Sequence, residues 1–132
     1  MELFPDWEVH PDYCEVRLVQ LLTHLIDDFA RYGSLHAGAL ALPGLTAGQV
    51  SVLHEPAVNE PQPYARGWIV AEPPWAGGRA LHHAGSNTNF FALIWVAPER
   101  DLVLVAAANL GGDAAFAACD EAIGWMLQHA VE

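Results

Sequence analysis

Apolar positions recur along the chain with two different periods. Leu18, Leu22, Leu25, Phe29 and Tyr32 fall on one helical face, and Gly33 stands where a C′ glycine would end a helix. This spacing predicts a helix from about Glu15 to Arg31. Ala37 to Gly44 reads as a loop, after which Thr46 is placed to cap a short helix that runs to about Leu53 and stops before Pro56. Pro56, Pro61 and Pro63 then impose an extended connection. From Tyr64 to Val70 large and small side chains alternate, which predicts one strand with Tyr64, Arg66, Trp68 and Val70 on a common face. A Pro/Gly-rich loop covers Glu72 to Gly78, and Arg79 to His83 reads as a short strand ending at Gly85. Phe90 to Val96 and Leu102 to Ala108 are nearly continuous apolar runs, which implies burial on both faces. The five residues Ala97 to Asp101 between them are too few for anything but an antiparallel hairpin. After the turn Asn109 to Asp113, with Asp113 as N-cap, Phe116, Cys119, Ile123, Met126 and Ala130 form the inward stripe of a last helix.

The expected fold is therefore α+β: an antiparallel sheet of three to four strands packed with N- and C-terminal helices, in one domain over residues 15–132. Residues 1–14, with two prolines and no period, are expected to form an irregular arm.

Composition narrows the function classes. Sixteen acids oppose five basic residues, a formal charge of -11, so phosphate backbones and anionic lipid are repelled and nucleic acid is not expected as a partner. All five basic residues are arginine, which excludes a lysine general base, a Schiff base and a P-loop. Cys14 and Cys119 are too few and too far apart for a disulfide framework or a zinc site, and are expected as buried thiols. The acidic start from Met1 to His10 has neither a basic nor an apolar leader region, so no secretory signal is expected and the chain as it stands would stay in the cytoplasm. No apolar run approaches the roughly 20 residues that span a bilayer.

Candidate chemistry is sparse. His83, beside His82, is either a proton-transferring imidazole or a strand end with one ring in and one out. Ser86 lies in no Gly-x-Ser-x-Gly elbow and reads as a turn serine. His54, His82 and His83 lack metal-ligand spacing, and neither Gly77-Gly78 nor Gly111-Gly112 belongs to a nucleotide-binding fingerprint, so no cofactor is expected. Trp68, Phe90, Phe91 and Trp95 sit at strand spacing and are expected in the core or an interface.

A set of short motifs nevertheless occurs in a telling order. Asp28-Phe-Ala-Arg-Tyr32, a short helix closing in His54-Glu55-Pro56, Tyr64-Ala-Arg-Gly-Trp68, and His83-Ala-Gly-Ser-Asn-Thr-Asn-Phe90 are followed by a strand, Pro98, a second strand and Asn109. The series resembles the C-terminal part of serine β-lactamase-related hydrolases of the class C and penicillin-binding-protein-like type, over about four-fifths of the chain from Asp27 onward. Members acylate a serine held in Ser-x-x-Lys, move protons with a tyrosine of Tyr-x-Asn, and line the site with a strand bearing Lys-Thr-Gly or His-x-Gly. The resemblance implies that His83 binds or orients substrate and shuttles protons, that the Ser86 N–H supplies an oxyanion donor, and that Gly85 and Asn87 contact substrate. It implies an acyl substrate or peptide. It also implies a compartment that is often periplasmic in the family.

Two of the three catalytic elements are missing. Without lysine there is no Ser-x-x-Lys, and Tyr13, Tyr32 and Tyr64 are followed two residues on by Glu15, Ser34 and Arg66 rather than asparagine. Asn89 replaces the glycine usual before Phe90, and Met1 to Ile26 matches nothing in the family, as a frameshift or deletion in a longer gene would leave it. The expectation is a truncated domain that is inert alone, with the alternative of a non-enzymatic binding or interaction module on the same fold. Family members carry further strands from upstream, so an open sheet edge is expected here, and with it a homodimer or a complementing N-terminal chain.

Overall fold

The centre of the molecule is the hairpin of two apolar strands, Phe91–Ala97 and Leu102–Ala108 (here β4 and β5). The computed structural model describes residues 18–130, with side chains from Ile26 to His129. The arm expected over residues 1–14, and Cys14 with it, lies outside the described residues. A 3-10 turn at Pro98–Arg100 joins β4 to β5, and Asp101 closes it in the left-handed region at φ 51°. Pairing is antiparallel from Phe91↔Ala108 to Ala97↔Leu102, as the short connection demanded.

Alternation along this hairpin sorts its side chains into two cores. Ile94, Val96, Val103 and Val105 point to one face, where Phe29 and Ala37 of the first helix, α1 (Leu18–Ala37), meet them. Phe91, Leu93 and Leu104 point to the other, against Ala115, Cys119 and Ile123 of the last helix, α3 (Asp113–Ala130). The sheet is thus sandwiched between two helices, which is why neither strand shows polar alternation. Ile94 and Val96 are almost fully enclosed, and burial of each such side chain contributes about 1.5–3 kcal/mol. Cys119 is a buried thiol whose pKa burial pushes up, as expected of a structural cysteine.

Among the described residues the sheet has five strands, in sequence order β1 (Tyr64–Ala65), β2 (Trp68–Ala71), β3 (Ala80–Ser86), β4 and β5, all antiparallel. The expected count of three to four is corrected by a turn inside Tyr64–Val70. Arg66 and Gly67 both take positive φ, 44° and 107°, so the segment folds back on itself as a two-residue hairpin. Trp68 and Val70 share the α1 face, whereas the register Tyr64↔Ile69 puts Tyr64 on the opposite one. The Arg66 guanidinium instead donates to the Val52 carbonyl at 2.8 Å, tying this hairpin to the short helix α2 (Ala47–Leu53). Thr46 caps α2 as expected: its Oγ1 accepts from the Gln49 N–H at 3.3 Å, and the Gln49 side chain accepts from the Thr46 N–H at 2.8 Å.

Two helical expectations also change. Gly33 does not stop α1, which continues to Ala37 and ends at Gly38 with φ 88°. Gly33 instead lets the helix lie close on the sheet, since a Cβ there would come within 3.0 Å of Ile94 Cδ1 and closer still to Val103 Cγ1. On α3 the inward stripe is Ala115, Cys119 and Ile123, extended by Met126, while Phe116 is 50% exposed. The Ala130 side chain expected to complete that stripe lies outside the described residues. Among those residues β5 is paired on one side only, leaving its outer edge open, and no helix is long and apolar enough to cross a membrane.

Candidate functional site

Strand β3 and the turn that follows it carry the residues singled out by sequence. Strand β2 pairs with it only as far as His82, so from His83 to Ser86 one edge of β3 has no neighbouring strand among the described residues. On the other edge the Asn87 N–H donates to the Phe90 carbonyl at 3.1 Å, just beyond the Ser86↔Phe91 pair. That pattern makes Ser86 and Phe91 a non-hydrogen-bonded pair, so the Ser86 N–H points outward from the open edge. The Asn87 side-chain carbonyl accepts from the N–H groups of Phe90 at 2.9 Å and Asn89 at 3.3 Å and so closes the turn into β4. Asn89 needs no left-handed backbone here, because the left-handed residue of this turn is Thr88, with φ 73°. Gly111 packs on the Thr88 backbone so closely that a Cβ there would lie 2.9 Å from Thr88 Cα and nearer to its carbonyl.

Gly85, Ser86 and Asn87 line a groove of about 1010 Å³ between this end of the sheet and α1. Its other walls are mainly apolar: Phe29 and Tyr32 of α1, Phe90 of the turn into β4, Ala92 of β4, and Ala107 of β5. The structure therefore brings three of the four candidate residues to one cavity. The fourth, His83, shares a sheet face with Gly85 but is exposed outside the groove. His83 and Ser86 are three residues apart on a strand, so their side chains leave from opposite faces, and His83 is not placed to take a proton from the Ser86 hydroxyl. The neighbouring His82 stacks on Trp95 with ring centroids 4.1 Å apart, on the α3 side. Burial, and then His83, hold its pKa below the usual value. One ring in and one out is thus the arrangement adopted.

Sequence reasoning missed a second histidine pair. His36 near the end of α1 and His54 at the C-cap of α2 are buried with His36 Nδ1 and His54 Nε2 2.8 Å apart. Such a contact needs one N–H and one lone pair, so two neutral rings sharing one bond satisfy it. Tyr32 and Trp68 meet the His36 ring edge-on at 4.7 and 4.9 Å. The Arg79 guanidinium closes the other side, donating to the His54 carbonyl at 3.4 Å and to Glu55 Oε1 at 3.2 Å. Burial, reinforced by His54, lowers the His36 pKa to about 4. The His54 value is lowered by burial and then by Arg79, against the opposing pull of Glu55 and Glu99. A signal for this pair existed: Phe29, Gly33 and His36 lie on one helical stripe, which becomes visible once Gly33 is not taken as a stop.

Among the described residues no three His, Cys, Asp or Glu side chains converge as metal ligands. Searches against protein-family models, curated proteins and solved structures find no match to this chain.

Proposed function

We propose that this chain is the C-terminal part of a serine β-lactamase-related hydrolase fold, supplying the His-x-Gly wall of an acyl-transfer site without its nucleophile. The observation that carries the reading is the open edge at Gly85 and Ser86, whose outward N–H borders a large groove, in a chain that has no lysine. An N–H in that position suits an oxyanion donor, which in working enzymes contributes about 3–4 kcal/mol of transition-state stabilisation. A donor alone does not turn over an acyl substrate. Chemistry on a β-lactam, a peptide or an ester needs a second chain with Ser-x-x-Lys and Tyr-x-Asn, and the side of β5 that has no partner strand among the described residues is the place where such a chain, or a second copy, would add a strand. The test is turnover of a chromogenic β-lactam and short-chain nitrophenyl esters by the purified chain. Rates equal to those of a His83→Ala control are expected, and turnover lost in that variant would sink the proposal.

The apolar character of the groove favours a second reading, a non-enzymatic binding module on the same fold. It predicts reversible, saturable binding of a small acyl compound or peptide with no covalent adduct, whereas the first predicts hydrolysis once a complementing chain is added.

A further inference from the structure

The other face of the sheet holds a smaller cavity, of about 290 Å³, with His83 at its rim. It lies where α3 leaves strands β1 to β3 uncovered. Tyr64, His82 and Trp95 come from the sheet, and Phe116 and Asp120 stand along the helix rim. Phe116 and Asp120 are four residues apart on α3 and so share one side of it. This accounts for the exposure of Phe116, which sits beside the core stripe instead of within it.

We propose that this cavity binds a small organic cation of the quaternary or alkylammonium class. Aromatic rings present negative faces, and a cation within about 6 Å of such faces is attracted electrostatically. Tyr64 from the sheet and Phe116 from the helix border the space, with Leu93 beneath, while Trp95 lines it with one face covered by His82. Asp120 is the carboxylate lining the cavity, no arginine does, and the titratable groups beside it are His82 and His83. The His82 ring stacked on Trp95 adds no compensating charge near neutral pH, because burial keeps it deprotonated. Asp120 thus supplies a negative charge on the wall, within a chain whose net charge is also negative. A volume of about 290 Å³ admits a trimethylammonium group with a short tail but not a folded peptide.

The probe is (2-hydroxyethyl)trimethylammonium, compared with its uncharged isostere 3,3-dimethylbutan-1-ol, each titrated into the 15N-labelled full chain and followed by NMR. The expected result is saturable shifts of the Tyr64, His82 and Phe116 amides and the Trp95 indole. The cation should bind about tenfold or more tightly than the isostere. Asp120→Asn and Tyr64→Leu, both at exposed positions, should each weaken it about threefold to tenfold with unchanged circular dichroism. Equal binding of the two probes, an unaffected Asp120→Asn variant, or shifts confined to the Gly85–Asn87 groove would overturn the proposal.

Discussion

Lowering the pH should loosen α2 from α1, because the contact between them depends on two imidazoles staying neutral. His36 is held at about 4 in the folded protein, against an ordinary value near 6.5 once the chain unfolds. Between those values the unfolded chain binds more protons than the folded one, so the contribution is complete above about pH 6.5 and is lost as the pH falls through about 4. A shift of this size corresponds to about 3 kcal/mol. Solvent reaching an edge-of-core pair reduces this to about 1–2 kcal/mol. His54 and His82, also lowered, act in the same direction, and the carboxylates facing the pair, Glu55 and Glu99, act against it. The assay is urea denaturation from about pH 7.5 to 4.5, comparing the wild-type chain with His36→Leu/His54→Leu. The wild type should lose about 1–2 kcal/mol more across this range than the double variant does. Parallel loss in both proteins would refute the reasoning, since the slope would then come from other groups.

The remaining predictions concern close approach and the open edge. Gly33→Ala should cost about 1–3 kcal/mol in thermal or urea unfolding, because its Cβ would collide with Val103 and crowd Ile94, and Val103→Ala in the same chain should recover part of that. Gly111→Ala meets backbone instead of a side chain, so it should destabilise comparably and also shift the NMR signals of Asn87 to Phe90; a spectrum unchanged there would contradict the packing of the two loops. The side of β5 that is unpaired among the described residues predicts concentration-dependent association in light scattering, which Ala107→Lys, at an exposed position of that strand, should reduce. A strictly monomeric wild type at all concentrations would argue against an available edge.

What the sequence disclosed follows from how local each feature is. The β4–β5 hairpin, the Thr46 cap and the last helix rest on periodicity and turn chemistry within a few residues, and all three were legible. The β1–β2 hairpin was not, because alternation in Tyr64 to Val70 reads the same whether or not the chain reverses, and only Arg66-Gly67 marks the turn. Gly33 carries two meanings, a helix stop or a close contact, and the choice depends on Val103, far along the chain. The same ambiguity hid His36 from its partner His54, a contact made by tertiary packing across a loop. At the candidate site, a strand ending at Gly85 was legible, within one residue of the observed end of β3 at Ser86. The separation of His83 from Ser86 by strand alternation becomes decisive only when the strand is known to run through Ser86.

We propose that this chain lines one wall of an acyl-transfer site and is not itself acylated. Intact-protein mass spectrometry after prolonged incubation with a fluorophosphonate and, separately, with a β-lactam tests it most directly. The account predicts the unmodified mass in both cases, at neutral and mildly alkaline pH. A stoichiometric adduct mapped to Ser86, or to any other serine, would contradict it.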